Sequence, residues 1–110
     1  MTEDLMERRL AAIEETLDTA ATSRAEAEAA EARMKQVLSV MVVHHRGKGM
    51  GVGEAEHQAR ASTEYKAASD AWVMANYAYR QSDAKAESGR IRFDAWRTWQ
   101  STERAKMNLR

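Results

Sequence analysis

The chain has 110 residues, with 17 Lys and Arg balancing 17 Asp and Glu, and it contains neither cysteine nor proline. That length is room for one domain and little more, and the missing cysteines exclude disulfides and thiolate metal sites and fit a reducing compartment. The longest uncharged runs, 36–45 and 71–79, fall short of the ~20 apolar residues that span a bilayer. The opening "MTEDLMERRL" is acidic where a signal peptide is basic and then apolar. The expectation is a cytoplasmic protein with no membrane segment.

Helix 1 is predicted from about residue 3 to about residue 45. Its composition is dominated by Ala, Glu, Arg, Lys and Met, which are strong helix formers over a long window. Thr2 is placed to cap it, with acids in the first turn. From Met6, alternating steps of four and three reach Leu10, Ile13, Leu17, Ala20, Arg24, Ala27, Glu31, Met34, Leu38 and Met41. This is a heptad seam with two charged intruders, Arg24 and Glu31.

The next stretch, "HHRGKGMGVGEAEH" at 44–57, breaks that pattern. Gly47, Gly49, Gly51 and Gly53 alternate through it, and a turn over 46–53 follows. The spacing G-x-G-x-G-x-G after a helix fails the dinucleotide fingerprint, which needs G-x-G-x-x-G after a strand, and the P-loop, which needs G-K-[ST]. A metal site would need His44 or His45 with His57, joined by Glu54 or Glu56. His44 and His45 diverge by about 100° on a helix, and structural zinc usually takes four ligands including cysteine, so no metal or other cofactor is expected. Gly47 is the natural left-handed residue that ends helix 1. Arg46 and Lys48 form a small basic tip, a phosphate contact at most.

Residues 54–61 read as a short helix of their own, because Ser62-Thr63-Glu64 looks like a cap and first turn; continuation straight into helix 2 is the alternative. Helix 2 is predicted over about 63–107. Its seam starts at Ala61 and continues through Tyr65, Ala68, Trp72, Ala75, Tyr79, Ser82, Ala86, Gly89, Phe93 and Trp96. Folding the chain at the glycines sets Met34 against Tyr65, Ala27 against Trp72, Ala20 against Tyr79, Leu17 against Ser82, Ile13 against Ala86 and Leu10 against Gly89. Large faces small at each level, as a close-packed interface of constant volume requires; a register one heptad away is the competing pairing. The predicted fold is all-α, a single long antiparallel helical hairpin resembling a coiled coil.

Charge is segregated along the chain. Residues 1–33 carry nine acids against four arginines, and residues 90–110 carry six bases against Asp94 and Glu103. An antiparallel hairpin lays the acidic start beside the basic end, which lowers the weight of a nucleic-acid reading. One seam seldom holds a small domain together, and Val37, Val40, Val42, Val43, Val73, Met74 and Tyr77 point away from it. These residues imply self-association, most simply two hairpins in a four-helix bundle.

With Phe93 opposite Met6, everything after about residue 96 overhangs the start of helix 1. The tail "RIRFDAWRTWQSTERAKMNLR" mixes arginines with Phe93, Trp96 and Trp99. Trp and Arg are the types most enriched at binding hot spots, so Trp96, Arg97, Trp99 and Arg104 are the candidate partner-binding residues. Two other readings stay open: Phe93 and Trp96 as bundle core with a solvated arginine rim, and aromatic stacking on single-stranded nucleic acid. No Ser-His-acid or paired-carboxylate set converges, and no enzyme is expected.

The segments "EAEHQARASTEYKAASDAW" and "IRFDAWRTWQSTERAKM" resemble a group of small helical proteins of tailed phages and prophages. The matching positions run from Ala59 to Tyr65 and include Arg92, Trp96, Arg97, Ser101, Arg104 and Ala105, in about the second half of the chain. Such proteins are accessory genes lying near recombination and single-strand annealing functions. The resemblance implies an accessory or host-modulating role and brings no catalytic residues. The expected function is binding of a host or phage protein of recombination or host defence; the alternative is a single-stranded nucleic-acid accessory factor using the basic, aromatic tail and the loop tip.

Overall fold

The computed structural model describes residues 3–109. Among them the chain forms three α-helices and no strand: α1 (Glu3–Gly47), α2 (Val52–Ala61) and α3 (Thr63–Asn108). The protein is all-α, and α1 and α3 fit the arms of a helical hairpin. Thr2, the expected cap of the first helix, lies outside the described residues. Glu3 and Asp4 open α1, while His44, His45 and Arg46 close it, each sign at the helix end whose partial charge it complements. With no proline, nothing interrupts 45 residues of α1 or 46 of α3.

The helices gather into two compact units. One takes α1 up to Ala21 and α3 from Arg80 onward; the other, Thr22–Tyr79, holds the rest of α1, all of α2 and the start of α3. In the Thr22–Tyr79 unit the least exposed side of α3 carries Tyr65, Ala68, Trp72, Ala75 and Tyr79, the stripe the heptad spacing predicts. On α1 the corresponding stripe is broader than predicted. Ala27, Ala30, Met34, Val37 and Met41 are buried or half-buried, and so are Glu31, Leu38 and Val42 one position on.

Three expectations change as a result. Arg24 is not in the seam: Ser23 takes that level, and Arg24 faces solvent with its Nε 3.1 Å from Glu28 Oε1. A four-residue step leads a 3.6-residue helix, so the charged residue rotates out and its neighbour rotates in. Glu31 sits half-exposed at the stripe's edge, 3.3 Å from Lys35 Nζ. Val37 and Val42 join the inner side, whereas Val40, Val43, Val73, Met74 and Tyr77 remain exposed.

The chain reversal is built by a helix stop at Gly49, not at Gly47. Gly47 is still helical, and Gly49 is the one glycine among the described residues with positive φ, at 92°. Met50 N–H donates to His45 O at 3.4 Å and Gly49 N–H to Arg46 O at 3.0 Å. These two bonds, one spanning five residues and one spanning three, are the Schellman pattern with Gly49 in the left-handed position. The choice between two glycines follows from what comes next. Stopping at Gly49 brings half-buried Met50 back onto the helix end, where an apolar residue closes the motif; stopping at Gly47 would have brought Lys48.

Beyond the turn, Gly51 starts α2 with no side-chain cap. Ala55 and Ala59 are both 0% exposed, so one face of α2 is closed, and Ser62 then ends it. Ser62 is extended (φ −66°, ψ 149°), its N–H donates to Ala59 O at 3.2 Å, and its Oγ accepts from Tyr65 N–H at 3.2 Å. One serine thus terminates α2 and caps the third residue of α3.

In the other unit Ala20 and Ala86 are buried, and Ile13, Ser82, Gly89, Phe93 and Trp96 are half-buried. Met6, Leu10 and Leu17, expected in the seam, are exposed. The register differs from the expected one. The Arg9 guanidinium lies 5.5 Å from the Trp96 ring centre, and Met6 lines a groove with Trp96 and Gln100. Met6 is therefore about one turn further along α3 than Phe93. Simple pairing from the turn assumes a straight return arm, and the extended Ser62 breaks that arm into two helices. The seam on α3 continues accordingly to half-buried Gln100 and Glu103, and the overhang is shorter than expected.

Candidate partner-binding groove

The last four turns of α3 and the first turns of α1 enclose an open groove of about 790 Å³. Its walls carry Met6, Asp94, Trp96, Arg97, Gln100, Ser101, Arg104 and Ala105. Helical spacing explains the membership. Arg97, Gln100, Ser101 and Arg104 follow one another at three- and four-residue steps, which share a helix face. Met6 comes from α1.

At the groove an arginine lies over each of the two neighbouring aromatic rings, Trp96 in its wall and Phe93 one turn before it. Phe93 and Trp96 rings lie 5.8 Å apart and tilted by 38°. Arg97 sits 5.9 Å from the Phe93 ring centre, one turn up its own helix, and Arg9 reaches Trp96 from α1. A guanidinium over an aromatic face within about 6 Å is attracted by the ring quadrupole. The long arginine stem also covers apolar surface while its head stays wet. Arg90, one turn before the groove, donates from Nη2 to Glu87 Oε2. That hydrogen bond and the Glu87 charge hold its pKa above the usual arginine value.

Of the residues singled out from the sequence, Trp96, Arg97 and Arg104 come together in this groove. Trp99 does not line it; it is 59% exposed on an adjoining face of α3. Arg104 makes no ion pair among the described residues, so its cation is available at the rim. Met6 and Gln100 are groove members that the sequence reading did not assign to a partner site, and Arg9 stands beside the groove over the Trp96 ring. In the sequence Arg9 was only one of the four arginines of residues 1–33, with no role assigned to it.

Compared with protein-family models, curated proteins and solved structures, the chain matches none.

At the glycine turn, Arg46 and Lys48 are exposed. Their backbones serve the helix stop, with Arg46 O accepting from Gly49 N–H and Lys48 N–H donating to His45 O. His44 and His45 rings stand edge to face with centres 5.3 Å apart, and His45 Nδ1 is buried without a hydrogen-bond partner. Among the described residues no group of three or more His, Cys, Asp or Glu side chains is placed to hold a metal ion. No described helix is long and apolar enough to cross a membrane.

Proposed function

We propose that this chain is a non-enzymatic accessory protein of phage type, acting in the cytoplasm by binding another protein through the groove at the end of α3. Its partner belongs to recombination or host-defence machinery, and the chain acts as a homo-oligomer. The observation that carries the reading is the clustering of Trp96, Arg97 and Arg104 with Met6 around one open groove. Trp and Arg are the side chains that dominate binding energy at protein interfaces, anchored in a pocket and rimmed by polar groups. The phage assignment rests on the sequence resemblance of residues 59–65 and 92–105.

The test pairs Trp99→Ala with Arg104→Ala, two exposed positions whose loss leaves the seam intact. Proteins retained by the wild-type chain from a phage-infected lysate should be retained at least about thirtyfold less well by the double variant, the factor for ~2 kcal/mol of hot-spot energy. Helicity should not change. If retention is the same, neither the groove rim at Arg104 nor the adjoining face at Trp99 is the partner surface, and the reading is lost. If the chain instead binds single-stranded oligonucleotide with an affinity that falls steeply with salt, the exposed Trp99 and neighbouring bases are a stacking surface and the protein-partner reading is lost.

A further inference from the structure

On one flank of the Thr22–Tyr79 unit α1 and α3 each carry a second stripe beside the inner seam, built of apolar and small residues with one charge on each helix. On α1 it runs Ala29, Arg33, Gln36, Val40 and Val43; on α3 it runs Glu64, Ala67, Ala71, Met74 and Ala78. Both follow three- and four-residue steps beside the inner seam, and all ten residues are exposed. Val40 is 59% and Met74 73% exposed. That the two stripes share a side is shown by a groove of about 300 Å³ lined by Arg33, Gln36, Val37, Val40 and Met41 of α1 together with Glu64 of α3. The opposite flank is different in kind. There α1 carries the ion pairs Arg24–Glu28 and Lys35–Glu31, while α3 exposes Val73 and Tyr77.

We infer that this flank is the site where a second copy of the chain docks, with α1 of one copy lying antiparallel on α3 of the other. The inference rests on the self-association reading above and deepens it by naming the surface. Three observations select a second copy as the occupant.

The first is area. The chain exposes 8440 Å², whereas a monomer of 12.4 kDa is expected to expose about 6100 Å² from the scaling of surface with mass. That surplus of about 2300 Å² is spread over both units, and Val40, Val43 and Met74 place part of it on this flank, where a standard interface needs ~800 Å² per partner. The second is charge. The groove carries one cation and one anion, Arg33 and Glu64, on different helices at a common level. A two-fold axis parallel to α1 sets Arg33 of each copy beside Glu64 of the other, so the surface is complementary to itself, as a two-fold interface must be. The third is volume. The α1 stripe offers Val40, Val43, Gln36 and Arg33, and the α3 stripe offers mainly alanine. Large meets small when α1 lies on α3 of the second copy, and not when α1 lies on α1.

The experiment is sedimentation velocity on the full chain, with far-ultraviolet circular dichroism as the folding control. Wild type should be a dimer at micromolar concentration. Val40→Glu should weaken it by at least about a hundredfold, because each interface would bury two unpaired carboxylates. Arg33→Glu and Glu64→Arg should each weaken self-pairing, and the two variants mixed should form hetero-pairs. That last result requires contacts between copies, since neither chain alone regains an opposite-charge pair. A monomeric wild type overturns self-association and this surface together. A dimer that survives Val40→Glu, or one that is lost with Val73→Glu on the opposite flank while Val40→Glu leaves it intact, overturns the surface and leaves self-association standing. If Val40→Glu loses helicity, the mixed charge variants decide: hetero-pairing supports the surface, and its failure overturns it.

Discussion

Gly47 and Gly49 are two residues apart, and methyl groups added at the two should act in opposite directions. Gly49 has φ of 92°, and a Cβ built there meets no atom within 4 Å. A clash therefore contributes nothing, and the whole cost of Gly49→Ala is the left-handed backbone, about 1–2 kcal/mol for an L-residue. Part of this is offset by the smaller conformational freedom of alanine in the unfolded chain, about 0.4–1 kcal/mol, leaving a net loss near 1 kcal/mol. Gly47 is helical and also has open space around its Cβ position. Gly47→Ala should then stabilise by about 0.5–1 kcal/mol, the helix-interior difference between the two residues. For a domain of this size 1 kcal/mol moves Tm by about 4–8 °C. Thermal melts followed by circular dichroism at one fixed protein concentration, since association would make Tm concentration-dependent, should show Gly47→Ala above wild type and Gly49→Ala below it. The reverse order would mean that the helix stops at Gly47 and that the Schellman bonds from Gly49 and Met50 are not the ones that close α1.

Two further perturbations probe the rest of the hairpin. Ser62→Ala removes the Oγ that accepts from Tyr65 N–H and should cost about 1 kcal/mol in a denaturant melt, whereas Ser62→Asp should restore most of it, as capping residues substitute for one another; equal stability of all three would mean that α2 and α3 need no cap between them. Ala27 is 6% exposed, so Ala27→Leu should overpack the seam by about 1–3 kcal/mol, and an unchanged Tm would show that α1 is open at that level.

The inner stripe of α3 was legible from Tyr65 to Trp96, because a long helix made of good formers has one dominant signal, the spacing of its apolar positions; its expected first member, Ala61, is exposed at the end of α2, and Gln100 and Glu103 were not foreseen. On α1 the same reading failed at Arg24. The stripe there is alanine and serine, and a choice between Ser23 and Arg24 turns on tens of degrees of helix rotation that small side chains do not fix. The glycine turn was legible as a turn, yet its stop was misplaced by two residues, since Gly47 and Gly49 are equally able to take positive φ and only the fate of Met50 separates them. The groove was half legible. Trp96, Arg97 and Arg104 follow from composition and helical spacing on one helix, but Met6 in the groove and Arg9 beside it over Trp96 come from the other arm, and their position depends on a register that the extended Ser62 alters. The expected small-faces-large logic also placed Gly89 opposite Leu10 for want of room, whereas a Cβ at Gly89 meets nothing within 4 Å; that glycine is not required by packing.

What this fold buries bears on what it can do. Among the described residues the buried apolar ones are all alanines, namely Ala20, Ala27, Ala55, Ala59, Ala68 and Ala86. A buried methyl contributes about 0.8 kcal/mol, against 1.5–3 kcal/mol for a fully buried Leu, Val or Met side chain. Alanine seams allow close helix approach, but they leave the stabilisation of the chain to long helices, caps and whatever covers the larger side chains. Those larger side chains are on the outside: Val40, Val43 and Met74 in the Thr22–Tyr79 unit, Trp99 and Met107 near the end of α3. A surface of this kind has apolar area to lose by association. The proposed functions therefore belong to faces and grooves, and each can be removed separately, since Val40→Glu and Trp99→Ala with Arg104→Ala alter different segments of the two long helices.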